Sequence, residues 1–440
     1  MEKIRRQLPA LAPLLLITLF GLPLITPLLH WTAVPCTHDG HLHYHRIAAM
    51  RHAWENGIYF TRWLPDLAFG YGYPFFVYRE PVPLYTGLFL HLLGLPLPAA
   101  SNLLYILSIL AAGWFMYLWV RDVMGSRAGL VSAVAYMAAP YVLVDALIRG
   151  NLPESLALAL FPFLLWIGRR WLLGGSAANF LAGIFGLALL GLSHNISLLL
   201  FTPVLLLYLL AMSWLHRLNW RVAALRLALL VALGLGVTTF YAGGALLEMD
   251  QVTLEQSTTT RNNDFRFNFA SASEILAPVV PEDSALINPP LAFRLGLVPS
   301  GLALLGLSTL FWRRKRAEAV IPNVKGERQW HIGLMAAATA AFVFMSLPAS
   351  QPLWEVLPLI DFVQFPWRFI GRAALPVAFL ASAPFASGRV GKPASSKRED
   401  ASYLTGNAHH ASRITHRASR FTFYAAIALL LLEAFPNLYP

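Results

Sequence analysis

Apolar stretches of about 20 residues recur along this 440-residue chain, and that recurrence limits its fold more than any other feature. An α-helix needs roughly 20 apolar residues to cross the roughly 30 Å hydrocarbon core of a bilayer. The composition agrees: 12% of the residues are charged, against about 25% in soluble proteins. We therefore predict an all-α polytopic membrane protein with about eleven transmembrane helices. The predicted helices cover approximately residues 8–29, 101–120, 128–145, 154–168, 176–193, 196–214, 222–247, 295–312, 332–347, 371–387 and 421–437.

One further apolar segment, residues 83–98, does not join this set. It reads PLYTGLFLHLLGLPLP, and the stretch between its prolines is shorter than the roughly 17 residues that a span needs. We predict that it is re-entrant or lies at the membrane interface.

Charge is distributed unevenly between the two sets of loops that the predicted spans define. The N-terminus and the alternate loops, together with Arg226, hold 23 of the 33 Lys and Arg residues but only 6 of the 22 acidic residues. Because basic loops stay in the cytoplasm, we predict a cytoplasmic N-terminus. The high pI then reflects topology and attraction to anionic lipids, and no basic soluble domain is present to bind nucleic acid. The basic loops are 121–127, 169–175, 215–221, 313–331 and 388–420.

The same topology predicts how the chain is organised. Residues 1–387 form one transmembrane domain, with two large segments outside the cytoplasm at residues 30–100 and 248–294. Residues 388–420 are rich in Ser, Lys, Arg and His, which favours a flexible basic cytoplasmic loop. Residues 421–440 then hold the last transmembrane helix.

Polar residues are concentrated directly after the first span, where residues 36–46 read CTHDGHLHYHR. Asp39 is the only carboxylate between Glu2 and Glu55. A general base must be a group such as a carboxylate or an imidazole within hydrogen-bond reach of the proton it removes. We therefore predict that Asp39 is a catalytic base.

The pattern of this first outer loop becomes helical from His41 onward. Asp39, His43 and Arg46 are spaced by four and then three residues, so one face of a helix would present all three side chains. An acid, an imidazole and a guanidinium would then point into one site.

Two other interpretations of these histidines stay open. His41 and His45 lie one helical turn apart, and neutral imidazoles bind zinc, so the pair is a candidate divalent-metal site. Interfacial loops of membrane proteins also collect basic residues that meet lipid headgroups.

Further ionisable residues are predicted to gather at the same face of the membrane, in an aromatic-rich part of the first loop and in three later turns. Guanidinium groups pair with phosphate oxygens and keep their charge, so the arginines favour a phosphate ligand. Each residue taken singly is also typical of an ordinary helix end or a snorkelling side chain. These residues are Arg62, Asp66, Arg149, Glu154, His194 and Arg368.

Four motifs together resemble a known family. They are D-x-x-x-H-x-x-R in the first outer loop, the stretch TRWLPDLAFGYGYPFF, an LSHN turn and an FPWR turn. They resemble the bacterial membrane proteins labelled 6-pyruvoyl-tetrahydropterin synthase related, which are similar in plan to the GT-C superfamily of glycosyltransferases. The resemblance covers roughly residues 10–375. Pterin chemistry is not expected to follow, because the soluble synthase has a different fold.

The resemblance implies an activity: GT-C enzymes take a sugar from a polyprenyl-phosphate carrier and pass it, with inversion, to an acceptor outside the cytoplasm. It implies a bacterial cytoplasmic membrane as the location, membrane lipids as partners, and Asp39 as the essential acid of the first loop. Many relatives carry a second acid beside it, whereas here Gly40 and His41 follow, so a metal is not implied. The expected phosphate or donor ligands are His43, Arg46, Arg62, Arg149 and Arg368, and the residues expected to bind the acceptor or to hold other groups are His41, Asp66, Glu154 and His194.

A lipid or polysaccharide transporter without ion coupling is the main alternative. Coupled transporters place ionisable residues inside their spans. Apart from Arg226, the Asp, Glu, Lys and Arg residues of the predicted spans lie within about one turn of a span end, which argues against ion coupling and favours an enzyme.

Overall fold

The computed structural model describes residues 2–60, 62–74, 79–251, 261–281, 291–312, 322–386 and 407–438. Within these ranges the chain is helical, and a single bridge between Leu64 and Tyr73 is its one extended pairing. The main helices are α1 Glu2–Ile25, α2 Gly40–Glu55, α3 Pro81–Leu92, α4 Leu97–Met124, α5 Ser126–Met137, α6 Pro140–Val144, α7 Leu152–Gly174, α8 Ala177–Ser193, α9 Asn195–Leu215, α10 Trp220–Leu247, α11 Leu297–Trp312, α12 Pro322–Ser346, α13 Arg368–Ser382 and α14 Asn407–Ala434.

The predicted all-α membrane architecture is confirmed, and a helix or a bent pair of helices lies over each of the eleven predicted segments. Among the described residues, five helices are long and apolar enough to cross a membrane, or up to seven if each of two bent pairs is one span. Helix α8 and residues 297–310 of α11 are shorter apolar helices. Helix α3, within the segment predicted to be re-entrant or interfacial, has 12 residues, or about 18 Å at 1.5 Å per residue, too short to cross alone.

The two bends coincide with prolines. Helix α5 is followed at 44° by residues Pro140–Arg149, and residues Gly326–Ser346 are followed at 90° by Pro348–Trp354. Proline cannot donate the next helical hydrogen bond and its ring crowds the preceding turn, so a helix bends or ends before it.

Helix α4 lies in the middle of the bundle, where it contacts α1, α5 and α7, while α13 packs on α5, α11 and α12. Glycines allow these helices to approach closely, because membrane helices associate through backbone packing rather than through a hydrophobic driving force. A Cβ on Gly306 of α11 would lie 2.1 Å from the carbonyl oxygen of Leu380 in α13. A side chain at that position would force the two helices apart.

Two segments that were predicted to lie outside the membrane, residues 248–294 and 388–420, contain folded parts. Part of the 248–294 segment folds against the end of α12, where the Ala270 amide donates to the Ser346 carbonyl at 2.9 Å and Phe265 stacks on Trp354. Within residues 388–420, which were predicted to form a flexible basic cytoplasmic loop, α14 begins at Asn407; the stretch from Asn407 to Ala434 has no Gly or Pro to interrupt a helix. Residues 387–406 lie outside the described residues.

The bundle has two ends, and each holds charged side chains. The first-loop helix α2 lies where α4 and α7 begin, since the Asn102 side chain near the start of α4 donates to the carbonyls of His30 and Ala33. We call this the site end. At the opposite end, Asp122 near the end of α4 pairs with Arg170 near the end of α7 at 2.8 Å.

Candidate functional site

A turn of π-helix at the site end places two charged side chains inside the bundle. Helix α6 continues as a π-helical turn over Asp145–Arg149 and ends at Gly150, whose φ of +69° is left-handed. Glycine adopts that conformation without steric cost. Turns of this type are frequent at functional sites. Here the turn brings Asp145 and Arg149 onto one side, where Arg149 Nη1 donates to Asp145 Oδ1 at 2.9 Å.

Glu154, in the first turn of α7, is held next to this turn by a helix cap. The side chain of Asn151 accepts a hydrogen bond from the Glu154 amide at 3.2 Å, as a capping Asn does. The Glu154 carboxylate then receives Arg149 Nη1 at 2.7 Å and the Tyr141 hydroxyl at 2.9 Å. Ser155, the next residue, donates to the other carboxylate, Asp145, at 2.9 Å.

Helix α13 supplies two more arginines, one turn apart. Arg372 donates to Glu154 and, at 2.7 Å, to the Ser197 hydroxyl. Arg368 donates to the Val363 carbonyl at 2.8 Å, and its Nε lies 3.9 Å from the Glu154 carboxylate. Gln364, just before the FPWR turn, has φ +61°. This backbone conformation is uncommon for residues other than glycine and persists only when the surrounding fold fixes it.

These five charged residues form what we call the buried charge cluster: Asp145, Arg149, Glu154, Arg368 and Arg372. Its three cations outnumber its two acids, and no side chain in it is more than 8% exposed. The Nε atoms of Arg368 and Arg372 have no hydrogen-bond partner among the described residues. A buried cation that lacks full pairing is costly, so the cluster is complementary to one further anion.

Aromatic rings enclose the arginines of the cluster. Trp367 lies 5.0 Å from the Arg149 guanidinium and 5.8 Å from that of Arg368. Phe293 stacks on Trp367 with ring centroids 3.9 Å apart. Aromatic faces stabilise buried guanidinium groups. The rings thereby hold the positive charge in place at a water-poor site.

The start of α2 is docked directly onto the cluster's π turn. The His38 amide donates to the Ile148 carbonyl at 3.0 Å, and the Asp39 amide donates to the Arg149 carbonyl at 2.8 Å. A Cβ on Gly150 would lie 2.6 Å from the backbone nitrogen of Gly40. The two chain segments therefore meet through glycine backbones, and the half-buried Asp39 is fixed beside Arg149.

Two of the three residues that were predicted to share a face, His43 and Arg46, lie side by side on α2. Arg46 Nη1 lies 3.4 Å from His43 Nδ1. Burial, together with the nearby Arg79, lowers the pKa of Arg46 to about 10, while the negative charge of Asp39 raises it, so Arg46 stays charged near neutrality. The Asp39 carboxylate does not cap α2. An acid just before α2 and a permanent cation on α2 thus interact next to the cluster.

His43 is buried beneath this face. Burial, and then the positive charges of Arg46, Arg79 and Arg149, hold the pKa of His43 well below its usual value of 6.5. The ring is therefore neutral around pH 7, with one nitrogen able to donate and the other able to accept.

His194 and Glu80 form the neighbouring wall. His194 Nδ1 lies 2.7 Å from the Ser197 hydroxyl, which also accepts from Arg372. Glu80 accepts from the Asn195 amide at 2.9 Å. Burial raises the pKa of Glu80, partly offset by the Asn195 hydrogen bond.

Four other predicted site residues are exposed. Arg62 pairs at 2.6 Å with Glu248, just beyond the end of α10, and both side chains are exposed. Asp66 is exposed in the first loop, and His41 and His45 are exposed on α2. In the described part of the chain, the His, Cys, Asp and Glu side chains form no group of three that could hold a metal ion.

Three residues that were given no role from the sequence belong to the site. Arg372 and Asp145 are members of the buried charge cluster, and Tyr141 donates to its Glu154. The spacing of four between Arg368 and Arg372 was a usable signal, because residues i and i+4 share a helix face. The pairing of Tyr141 with Glu154 had no signal, since it depends on how α6 and α7 pack.

An apolar cavity of about 250 Å³ lies between α7, α9, α12 and α13. Phe161, Phe201 and Phe342 are in its wall at the site end, and Arg372 is its one charged lining residue. Leu207, also in the wall, is 63% exposed on the bundle surface. We call this space the first cavity; it joins the apolar surface of the bundle to the buried charge cluster.

Comparisons with known proteins agree with this architecture. A family model described as "6-pyruvoyl-tetrahydropterin synthase related domain; membrane protein" matches residues 76–394. No curated protein sequence matches the chain.

Among solved structures, the chain is similar to the oligosaccharyltransferase of Archaeoglobus fulgidus in complex with zinc and sulfate, with a TM-score of 0.51 and 13% identity over 97% of this chain and 53% of that one. It is also similar to AglB of that organism in complex with an inhibitory peptide and a dolichol-phosphate, with a TM-score of 0.49 and 13% identity over 97% and 56% of the two chains. The first likeness shows a GT-C fold. The chain spans about half the length of these structures.

Proposed function

Because the chain belongs to the 6-pyruvoyl-tetrahydropterin synthase related family of membrane proteins and has a GT-C fold, we propose that it is a membrane glycosyltransferase that takes a sugar from a lipid-linked phosphate. The reaction would occur at the site end. The charge distribution of the loops supports an extracytoplasmic position for that end, with the N-terminus in the cytoplasm of a bacterial cell.

One observation carries the proposal: the hydrogen bond of 2.8 Å between the Asp39 amide and the Arg149 carbonyl. It joins the one carboxylate of the early first loop to a buried cluster with an excess positive charge. A base and an anion site are therefore neighbours, as transfer of a sugar from a phosphate requires.

In the proposed reaction, Asp39 accepts the proton of the acceptor hydroxyl as that oxygen attacks the anomeric carbon. The bond between the anomeric carbon and the phosphate oxygen breaks, and its electron pair leaves with the lipid phosphate. Attack from the face opposite the phosphate inverts the anomeric centre. His43, neutral and buried beside Arg46, would donate a hydrogen bond without competing for the proton.

Arg368 would stabilise the leaving phosphate. Arg149 and Arg372 already donate to carboxylates, whereas Arg368 donates to a carbonyl and lies 3.9 Å from Glu154. Of these three arginines, Arg368 is therefore the one whose charge could pair with a phosphate. Arg46, on the facing side of α2, would be the second donor. The chain of the lipid carrier would occupy the first cavity, because Arg372 in its wall connects that space to the same cluster.

Asp39→Asn tests the proposal. The substitution keeps the size and the backbone hydrogen bond but removes the base, so transfer from tritium-labelled polyprenyl-phosphate sugars should fall at least roughly hundredfold. Asp66→Asn, at an exposed carboxylate of the same loop, is the matched control and should leave the rate unchanged.

Full turnover by Asp39→Asn, with normal insertion and thermal stability, would remove the proposed base. Movement of a lipid carrier across the membrane without transfer, surviving in both variants, would instead favour the transporter.

A further inference from the structure

The site end has a second apolar cavity that the proposed donor does not use. It encloses about 310 Å³ between α3, α4, α7 and α8. Its wall contains no charged residue; its polar side chains are the hydroxyls of Thr86, Ser108 and Ser193. We call it the second cavity.

The two cavities lie on opposite faces of α7. Phe161 and Leu165 line the first, whereas Ala159, Leu160 and Phe163 line the second. At 100° per residue these two sets point in nearly opposite directions. A ligand in one cavity is therefore separated from a ligand in the other by a single helix.

Both cavities approach the same charged site. In the second cavity, Leu104, Leu156 and Ser193 are lining residues. Each is next in the chain to a residue that is bonded into the site. Tyr105 donates to the Gly150 carbonyl at 2.6 Å, Ser155 to Asp145 at 2.9 Å, and His194 bonds Ser197 at 2.7 Å.

The dimensions of the second cavity suit a lipid chain. From Leu104 to Phe115 its wall follows α4 for twelve residues, a rise of about 16 Å, which is close to one leaflet of a roughly 30 Å hydrocarbon core. Leu107 and Phe185 in its wall are 41% and 67% exposed on the apolar surface of the bundle. A chain would enter sideways from the bilayer rather than from water.

The polar groups of the second cavity favour a ligand with a hydroxyl rather than a charge. Thr86 and Ser108 already donate to the carbonyls of Val82 and Leu104. The buried Ser193 hydroxyl has no hydrogen-bond partner among the described residues. A buried hydroxyl without a partner is costly, so it is complementary to a polar headgroup.

Resting on the proposed function, we infer that the acceptor is itself a membrane lipid, with an acyl chain in the second cavity and a headgroup hydroxyl directed past Ser193 toward Asp39. Transfer then joins two lipid substrates across α7. The lipid hydroxyl oxygen bonds to the anomeric carbon, the carbon–oxygen bond to the carrier phosphate breaks with its electron pair on the phosphate, and the proton passes to Asp39.

Photolabelling tests the second cavity without requiring turnover. The full chain is reconstituted in phosphatidylglycerol vesicles that contain a diacylglycerol with a diazirine on one acyl chain, and labelled peptides are identified by mass spectrometry. The label should concentrate on the walls of the second cavity. Ala111→Phe, which fills that cavity, should reduce the label there about fivefold, a change of about 1 kcal/mol in binding.

Ala338→Phe is the matched control, because Ala338 is a partly buried alanine in the wall of the first cavity. Ala338→Phe should leave the diacylglycerol label unchanged and reduce labelling by a photoreactive polyprenyl phosphate. Ala111→Phe should reduce the diacylglycerol label and leave labelling by the polyprenyl phosphate unchanged. Leu107→Trp, at the exposed mouth, repeats the test if Ala111→Phe unfolds. Equal diacylglycerol labelling in all variants would overturn the inference.

A pair of serines tests the headgroup contact. Ser193→Ala should weaken diacylglycerol labelling severalfold, whereas Ser108→Ala, whose hydroxyl is already bonded within its helix, should not. An equal effect of both substitutions would contradict the assigned contact.

The product separates this inference from the proposed function. In any preparation that transfers labelled sugar, radioactivity in a chloroform-soluble lipid other than the carrier supports a lipid acceptor. Radioactivity in peptide would refute the lipid acceptor and leave glycosyl transfer standing. Diacylglycerol labelling that depends on Ala111, in a protein that neither transfers sugar nor binds polyprenyl phosphate, would keep the lipid site and reject the proposed function.

Discussion

The two ends of the bundle each hold a group of arginines and acids, yet they differ in what surrounds the charges. At the site end, Glu154 receives Arg149 and Arg372, and all three side chains are at most 6% exposed. At the opposite end, Asp122 pairs with Arg121 and Arg170, whose side chains are 32% and 41% exposed. Water screens the second group and not the first. The comparison teaches that position in the fold, not the number of charges, distinguishes a candidate site from an interfacial anchor.

Removing the central acid at each end should give the largest difference. Glu154→Gln leaves three buried arginines around a neutral side chain, so the free energy of unfolding should fall by about 3–5 kcal/mol. Asp122→Asn should cost about 1 kcal/mol or less, because its arginines reach water. Thermal unfolding in detergent measures both. An equal fall in the free energy of unfolding for both variants would mean that the two groups of charges stabilise the fold equally.

Removing an arginine at each end should separate catalysis from anchoring. Arg368→Gln leaves two cations against two acids in the buried charge cluster, so the fold should persist while sugar transfer falls roughly hundredfold. Arg170→Gln should change neither quantity noticeably. Transfer rate and unfolding temperature, recorded on the same samples, decide; undiminished transfer by Arg368→Gln would exclude it as the phosphate ligand.

Replacing a glycine with a left-handed backbone at each end should show how tightly that end is packed. Gly150 has φ +69° and Gly175 has φ +64°, so alanine should cost about 1 kcal/mol at either position. A Cβ at Gly150 also meets the backbone nitrogen of Gly40 at 2.6 Å, whereas at Gly175 it meets the movable end of Arg226. We expect a total of about 3 kcal/mol for Gly150→Ala. Similar unfolding temperatures for both variants would show that the docking of α2 is adaptable.

The smallest expected effect is a pH dependence at the site end. Because the pKa of His43 in the folded protein lies well below 6.5, the unfolded chain binds a proton that the folded one does not, and stability is lost as the pH falls below about 6.5. The loss is complete below the folded pKa. His43→Gln should flatten the unfolding temperature between about pH 6.5 and 4.5. His45→Gln, at an exposed position of the same helix, should keep the wild-type slope.

Local patterns in the sequence predicted the helices and part of the site. The apolar stretches predicted the all-α membrane fold, and the spacing of His43 and Arg46 predicted that their side chains lie side by side on α2. The motifs also identified the family, which is confirmed. Helical periodicity is a property of neighbouring residues, so such features can be inferred before any tertiary contact is known.

The assignments that depended on distant partners were less complete. Arg62 and Arg149 were both expected at a phosphate, but Arg62 pairs with Glu248 and Arg149 with Asp145 and Glu154. The low charge content of the spans suggested an uncharged bundle, while the structure buries Arg372 inside α13. A sequence shows which residues carry charge but not which of those charges neutralise one another.

By itself, then, the sequence determined that the chain folds in a bilayer, because so long a chain with so little charge could not cover a water-facing surface. The positions of the apolar segments also determined which parts of the chain are helices. Only the tertiary structure decided where the unbalanced charge lies. The contact between Gly40 and Gly150, the arginines converging on Glu154 and the two cavities beside α7 all join residues far apart in the chain. Such contacts arise from helix packing, which no local periodicity records.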